Sequence, residues 1–271
     1  MEWNEEQVRL LREILPGVAQ QLRLPLNNLS LAAQWLVPDE PGEKEQRSAA
    51  ILQQNYYRLL RTVNNMSLAP LLLDDAPLEK GNVDIVCWLD DRCAEAEGLY
   101  AEKGVALTWH SDKASHVTAV NEEAMDRLLW NLLSNALKFT PSGGSVSVSL
   151  RFAQKQVLLY VADTGCGIAP DRMDTVFDRW LHTPEADPQP HGLGLGLALC
   201  RRVAEGHGGR ILLDSRVGQG TTVTVALPDE RRTTDRVRQS GTDYAGGFSQ
   251  VLLELSDGLP YTVFTPEKLD T

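Results

Sequence analysis

Asn131-Leu-Leu-Ser-Asn135-Ala-Leu-Lys138-Phe139-Thr140-Pro141 is the stretch on which the fold reading turns. It closes an apolar run that begins near Asn121. Leu128, Leu129, Leu132, Leu133, Ala136 and Leu137 recur at helical spacing, so one stripe of this helix faces a core. The same repeat sets Asn131, Asn135 and Lys138 together on another face. Two neutral carboxamide oxygens and one ammonium suit a magnesium-bound polyphosphate, with hard oxygen ligands for the metal and a point charge for the phosphates. Alone the signal is weak, because Asn and Lys near a helix end more often cap the helix or meet solvent.

Three further segments follow in order. Val157-Leu-Leu-Tyr-Val-Ala162 reads as a strand that delivers Asp163-Thr164-Gly165-Cys166-Gly167-Ile168. A carboxylate held just past a buried strand accepts from an amino group, and the glycines let a planar ligand approach the backbone closely; the plainer reading is a turn. Val176-Phe177-Asp178-Arg179-Trp180 leads into a stretch from Leu181 to His191 where Pro184, Pro188 and Pro190 oppose regular structure, so a lid or an ordinary surface loop is expected. Gly192-Leu-Gly194-Leu195-Gly196-Leu-Ala-Leu then opens a helix running to about Glu205, and amides at a helix start attract anions. A lone glycine repeat is weak evidence, and no strand feeds directly into this one.

Together these segments resemble the N, G1, F and G2 boxes of the histidine kinase catalytic domain, within the wider family of Bergerat-fold ATPases. His207-Gly208-Gly209-Arg210-Ile211 and Gly218-Gln-Gly220-Thr221-Thr222 are similar to that family's closing turn and final hairpin. The resemblance spans roughly Val83 to Pro228. It implies an ATP site with magnesium, formed by Asn131, Asn135, Lys138, Phe139, Asp163, Gly165, Gly167, Ile168, Arg179, Gly192, Gly194, Leu195, Gly196 and Thr221, with Asn131 as metal ligand. Gyrase-like ATPases and anti-sigma serine kinases place a general-base Glu four residues before the second Asn. Asn131 stands there instead, and an amide takes no proton at neutral pH, so vigorous hydrolysis is not expected.

The first half reads as a helical hairpin. Leu11, Leu15, Val18, Leu22, Leu29, Ala33 and Leu36 form one stripe, and Leu52, Tyr56, Leu59, Val63 and Met66 a second, with Pro38-Asp-Glu-Pro41-Gly42 between them. Such a hairpin has too little core alone, and two copies make a four-helix bundle; packing on its own catalytic domain is the alternative. In histidine kinases the first helix of this bundle carries a His-Glu-Leu-Arg-Thr-Pro-Leu type of sequence. The similar stretch here is Gln20-Gln21-Leu22-Arg23-Leu24-Pro25-Leu26, and no histidine precedes His110. The resemblance therefore implies that autophosphorylation is lost: Gln20 offers no nucleophilic nitrogen, Gln21 no proton acceptor, and Leu24 no group to orient water. His182, where many family members have Arg, puts transfer further in doubt.

Net charge −11 disfavours binding to nucleic acid or anionic membranes. Cys87, Cys93, Cys166 and Cys200 show no metal-ligand spacing or disulfide framework, which fits a reducing, cytoplasmic setting. No run approaches the roughly 20 apolar residues that span a bilayer. Either the chain is fed by a partner or it is the soluble portion of a membrane-anchored sensor.

The expected fold class is α+β: a two-helix hairpin followed by a mixed, mainly antiparallel sheet packed on helices. The expected divisions are 1–67 hairpin, 68–81 linker, 82–228 catalytic domain, 229–247 polar connector, and 248–271 a C-terminal β-hairpin and tail joined by Ser256-Asp257-Gly258. Three functions are in play. One is a pseudokinase that uses Mg-ATP as a conformational ligand, homodimerises, and engages a response regulator or another histidine kinase. The others are a kinase acting on an acceptor in trans, and a nucleotide-independent scaffold.

Overall fold

The computed structural model describes residues 5–35, 38, 42–73, 78–173, 176–177, 194–233 and 249–265. Helix α1 (Glu5–Arg9) passes through a π-turn at Leu10–Ile14 into α2 (Leu15–Trp35), and α3 (Glu43–Ser67) returns beside it. The pairing is antiparallel, since Arg23 donates to Asn64 Oδ1 (3.2 Å), Tyr56 to Asn27 Oδ1 (2.8 Å) and Ser30 to Gln53 Oε1 (3.3 Å). Pro25 lies inside α2, although an interior proline removes a backbone donor and costs about 3 kcal/mol. Of the stripe expected to be apolar and buried, Leu11 is fully buried, whereas Leu22 and Leu29 face outward. On α3, Tyr56 and Val63 are buried while Leu52 and Leu59 are exposed. One hairpin therefore satisfies only half of its own apolar pattern.

A 3-10 turn at Ala69–Leu73 follows, inside the expected linker. Then come β1 (Gly81–Asp84), α4 (Ile85–Glu102), β2 (Ala106–Ser111), β3 (Val117–Val120), α5 (Glu122–Phe139), β4 (Ser145–Ala153), β5 (Gln156–Asp163), α6 (Pro170–Met173), α7 (Gly196–Gly206), β6 (Arg210–Arg216) and β7 (Gly220–Pro228). β1 pairs with β3, and the main sheet runs β2-β4-β5-β7-β6, parallel only between β2 and β4. Strand β4 was not anticipated from the sequence, yet its alternation places Val146, Val148 and Leu150 inward and serines between them. Those residues join Leu159, Val161, Val223 and Val225 under α4, α5 and α7, leaving the other sheet face to water.

Local signals set the helix starts. Asn121 caps α5 by accepting from the Ala124 amide (2.9 Å), and Asp84 caps α4 from the Val86 and Cys87 amides. Burial opposes ionisation of Asp84, but hydrogen bonds from Ser115 and three backbone amides together hold its carboxyl below the usual range. Arg92 grips Asp126 through two hydrogen bonds (2.8 and 3.1 Å), and Trp88 donates to the same carboxylate (2.8 Å), locking α4 to α5. His207 is buried; its Nδ1 meets the Val203 carbonyl (2.8 Å) and its Nε2 accepts from the Asn121 amide (2.9 Å), which requires the neutral ring. Burial holds its pKa below the ordinary value of 6.5.

The C-terminal β-hairpin expected at 248–271 is corrected by the structure. Ser249 caps a helix, α8 (Gln250–Leu255), and Tyr261–Phe264 forms a 3-10 turn. Short apolar runs such as Val251-Leu-Leu-Glu-Leu255 do not distinguish strand from helix by periodicity, and packing on α3 and α5 decides the outcome.

Candidate nucleotide-binding site

Three of the four sequence segments meet at the C-terminal half of α5. Asn131 is almost buried, and its amide nitrogen donates to the Arg127 carbonyl (2.8 Å), one helical turn back. That bond fixes the amide flip and turns Oδ1 outward toward the glycine segment. A Cβ built on Gly196 would lie 2.9 Å from Asn131 Oδ1, so any larger residue would have to push the Asn131 side chain aside. Asn135 and Lys138 are half-buried on the same helix, and the Lys138 ammonium sits 4.7 Å from the centre of the exposed Phe139 ring. The last carbonyls of α5 are occupied by Lys103, which donates to Leu137 and Lys138. Burial lowers the pKa of this lysine.

Strand β5 ends at Asp163. Its Oδ1 accepts from the amides of Gly165 (2.8 Å) and Thr221 (3.3 Å), whereas Oδ2 meets no donor among the described residues. Burial is the larger influence on this carboxyl and raises its pKa, against the two amide bonds that lower it. A half-buried carboxylate with one satisfied and one open oxygen is an acceptor waiting for a donor. The loop behind it is tight: a Cβ on Gly165 would strike the Phe139 carbonyl, and at Gly167, with a φ of +70°, a Cβ would strike the Arg216 backbone. The Cys166 amide donates to the Phe139 carbonyl (3.3 Å), tying the loop to the end of α5. Ile168 is held by its amide on Ser215 Oγ (2.9 Å), which also lies 2.8 Å from Thr221 Oγ1.

Gly194 takes a φ of +68° and Leu195 is buried with Leu199, Leu11 and Ala69. Helix α7 begins at Gly196, four residues later than the glycine run suggested. The expected lid, with Arg179, His182, His191 and Gly192, lies outside the described residues. Asn131, Asn135, Lys138, Phe139, Asp163, Gly165, Gly167, Ile168, Gly194, Leu195, Gly196 and Thr221 thus fall on one connected set of loops and helix ends. Sequence reasoning missed Ser215, Lys103 and Gly220. Ser215 stands 47 residues from the loop it braces, and nothing local marks it. At Gly220, a φ of +98° and a position where a Cβ would strike the Asp163 carbonyl were foreshadowed only by the Gly-Gln-Gly turn.

Gln20, Gln21 and Leu24, the acceptor-box positions, are exposed on α2. Arg23 reaches Asn64 and Ser67, and Leu26 packs against the main core.

Helices layered on a mixed sheet, an open carboxylate at a strand end and an Asn-bearing helix facing a glycine turn have the architecture of the Bergerat fold, joined here to a helical hairpin. The sequence family described as histidine kinase-, DNA gyrase B-, and HSP90-like ATPase matches residues 120–231. Sensor protein SrrB of Staphylococcus aureus strain N315 is 30% identical over 232 residues, 84% of this chain and 39% of that protein; SrrB of strain COL aligns equally. The chain spans about two fifths of the length of these curated relatives. The crystal structure of full-length ShkA in complex with AMPPNP superposes with a TM-score of 0.66 at 26% identity, over 81% of this chain and 46% of that one. The catalytic domain of histidine kinase ThkA shares the fold, with a TM-score of 0.51 at 19% identity, over 56% of this chain and 97% of that one. The chain is similar to the two-component sensor histidine kinases, and its residues 120–231 match the histidine kinase-, DNA gyrase B-, and HSP90-like ATPase family.

Proposed function

We propose that this chain binds Mg-ATP as a conformational ligand and works as a pseudokinase, a nucleotide-responsive switch in two-component signalling. The observation that carries the reading is the contrast between an assembled nucleotide site and Gln20, an exposed amide where the resemblance places the acceptor histidine. A delocalised amide nitrogen does not attack phosphorus.

The residues present fit the ligand. Asp163 Oδ2 is open to the adenine amino group, and the cramped Gly165 and Gly167 let a flat base reach it. Asn131 Oδ1, turned outward, is a neutral hard ligand suited to magnesium, with Asn135 one turn on. Lys138 supplies positive charge for phosphate, and Gly194 and Gly196 leave the amides before α7 uncovered. Bound ATP supplies a terminal phosphoryl group, and no side chain at Gln20, Gln21 or Leu24 has the chemistry to accept it or direct water at it. The ShkA structure was determined with AMPPNP, which supports the same use of the pocket here.

The hairpin supports a homodimer. Leu22, Leu24, Leu29 and Leu31 on α2 and Leu52 and Leu59 on α3 are exposed, and a second copy of the chain buries them as a four-helix bundle. The other face of that platform is available to a response regulator or an active histidine kinase. Among the described residues, no helix is long and apolar enough to cross a membrane.

Isothermal titration with a non-hydrolysable ATP analogue and magnesium should give a binding isotherm that Asp163→Asn weakens by roughly 10- to 150-fold. Incubation with γ-labelled ATP should leave the chain unlabelled. Label accumulating on this chain refutes the pseudokinase reading, and label passing to a partner protein favours the trans-acting kinase, which the intact nucleotide residues keep as the second reading.

A further inference from the structure

The segment 249–265 lies beyond the matched ATPase domain and touches both halves of the molecule. One side packs on the hairpin. The Gln54 amide donates to the Leu259 carbonyl (2.7 Å), Arg58 to the Ser256 carbonyl (3.3 Å), and Arg61 pairs with Glu254 (3.4 Å) and with Asp257. The Tyr57 and Phe264 rings lie 5.4 Å apart, and the Arg47 guanidinium stands 5.5 Å from the centre of the Tyr261 ring. The other side packs on the nucleotide-binding domain. A Cβ on Gly258 would come within 2.9 Å of the Leu137 side chain and 3.0 Å of the Lys138 amide, so this turn is seated on the last turn of α5.

We propose that residues 249–265 form an intramolecular clamp that holds the nucleotide-binding domain against α3 and thereby fixes its position relative to α2. The chemistry favours a clamp that is either fully engaged or fully released. Arg61 is only 6% exposed, and a guanidinium in that setting is tolerable with both carboxylates present and strongly unfavourable with neither. Leu255 and Phe264 are fully buried, so partial withdrawal exposes apolar surface without satisfying the ion pair. The point of attachment also matters. Gly258 sits on the turn of α5 that bears Lys138 and Phe139, so the hairpin and the nucleotide-facing end of that helix share one mechanical support. The near end is fixed as well: Asn82 exchanges two hydrogen bonds with the Arg232 backbone (2.6 and 2.9 Å), so chain leaving the sheet is anchored before it crosses to α3. The clamp rests on these contacts within the chain and stands whether or not the pocket takes nucleotide.

The test compares three full chains and one truncation. Dyes at the exposed Cys87 on α4 and at Asn55→Cys on α3, with Cys166→Ser and unlabelled chain in excess, report the distance between the halves. Hydrogen exchange of β4, β5 and β7 reports whether the domain stays folded. The unaltered C-terminus should give one narrow distance distribution. Removal of residues 234–271, and separately Glu254→Arg with Asp257→Arg, should broaden it and speed exchange of α3 amides at least tenfold while the sheet stays protected. Adding Arg61→Glu to the double variant should restore the narrow distribution. A distribution unchanged in the double variant overturns the clamp. Loss of sheet protection in that variant overturns it equally, because the segment is then an ordinary part of the core.

Discussion

The end of α5 and the middle of α2 make an instructive pair. Around α5, the polar groups that resemble a nucleotide site are also structural: Asn131 bonds its own helix, Asp163 Oδ1 collects two amides, and Gly196 packs so closely on Asn131 that a Cβ there would displace the Asn131 side chain. On α2, Arg23 and Leu26 have partners, while Gln20, Gln21 and Leu24 are exposed to water. Matching the family's motif at Arg23, Pro25 and Leu26 and departing from it at the three exposed positions is the pattern on which the proposed pseudokinase reading rests.

The comparison is most severely strained by Gly167→Ala. An alanine at φ +70° adds roughly 1–2 kcal/mol of left-handed strain and about 1–3 kcal/mol of overpacking on the Arg216 backbone, which should show as a lower denaturation midpoint and weakened nucleotide binding together. Next comes Asp163→Asn, which offers an amino donor a second donor. Removing one charged hydrogen bond of about 1.5–3 kcal/mol predicts a loss of roughly 10- to 150-fold in calorimetric affinity with the fold intact. An unchanged affinity would mean that the pocket is not read through this carboxylate.

Acidification separates the two regions without mutation. Burial raises the Asp163 pKa above 3.8, so nucleotide affinity is complete above that raised value and falls as pH drops through it, earlier than for an ordinary carboxylate. His207 acts on the fold. Its folded pKa is lowered, so below about 6.5 the unfolded chain takes up the proton first, and stability that is complete above that pH declines toward the lowered value. Urea titrations from pH 7.5 to 5 should show this decline, and His207→Gln should remove its pH dependence. The smallest effect belongs to α2: Gln20→Ala should change stability by no more than about 0.5 kcal/mol and leave nucleotide affinity untouched. A large loss there would assign Gln20 a role that its surroundings do not suggest.

Much of this was legible in the chain. The Asn121 cap and the leucine repeat set α5 within a residue of its observed start, and the strand read at Val157 to Ala162 falls within the observed Gln156–Asp163. Strand β4 escaped notice because serine alternating with valine carries little apolar weight, although the sheet on both sides completes it. The tail was misread for a related reason. Ser249 caps a helix from local chemistry, but only the ion pair with Arg61 and the surface of α5 show why six residues suffice to hold one.

By itself the sequence determined the order of the nucleotide segments, the left-handed turns that demand glycine, and the absence of an imidazole on α2, since each depends on side-chain type and short spacing. The tertiary structure alone decided which oxygen of Asp163 stays open, which leucines of the hairpin remain uncovered, and that the C-terminal segment bridges α3 and α5. Those outcomes depend on contacts between residues far apart in the chain, and no local pattern encodes which distant surface will cover a given group.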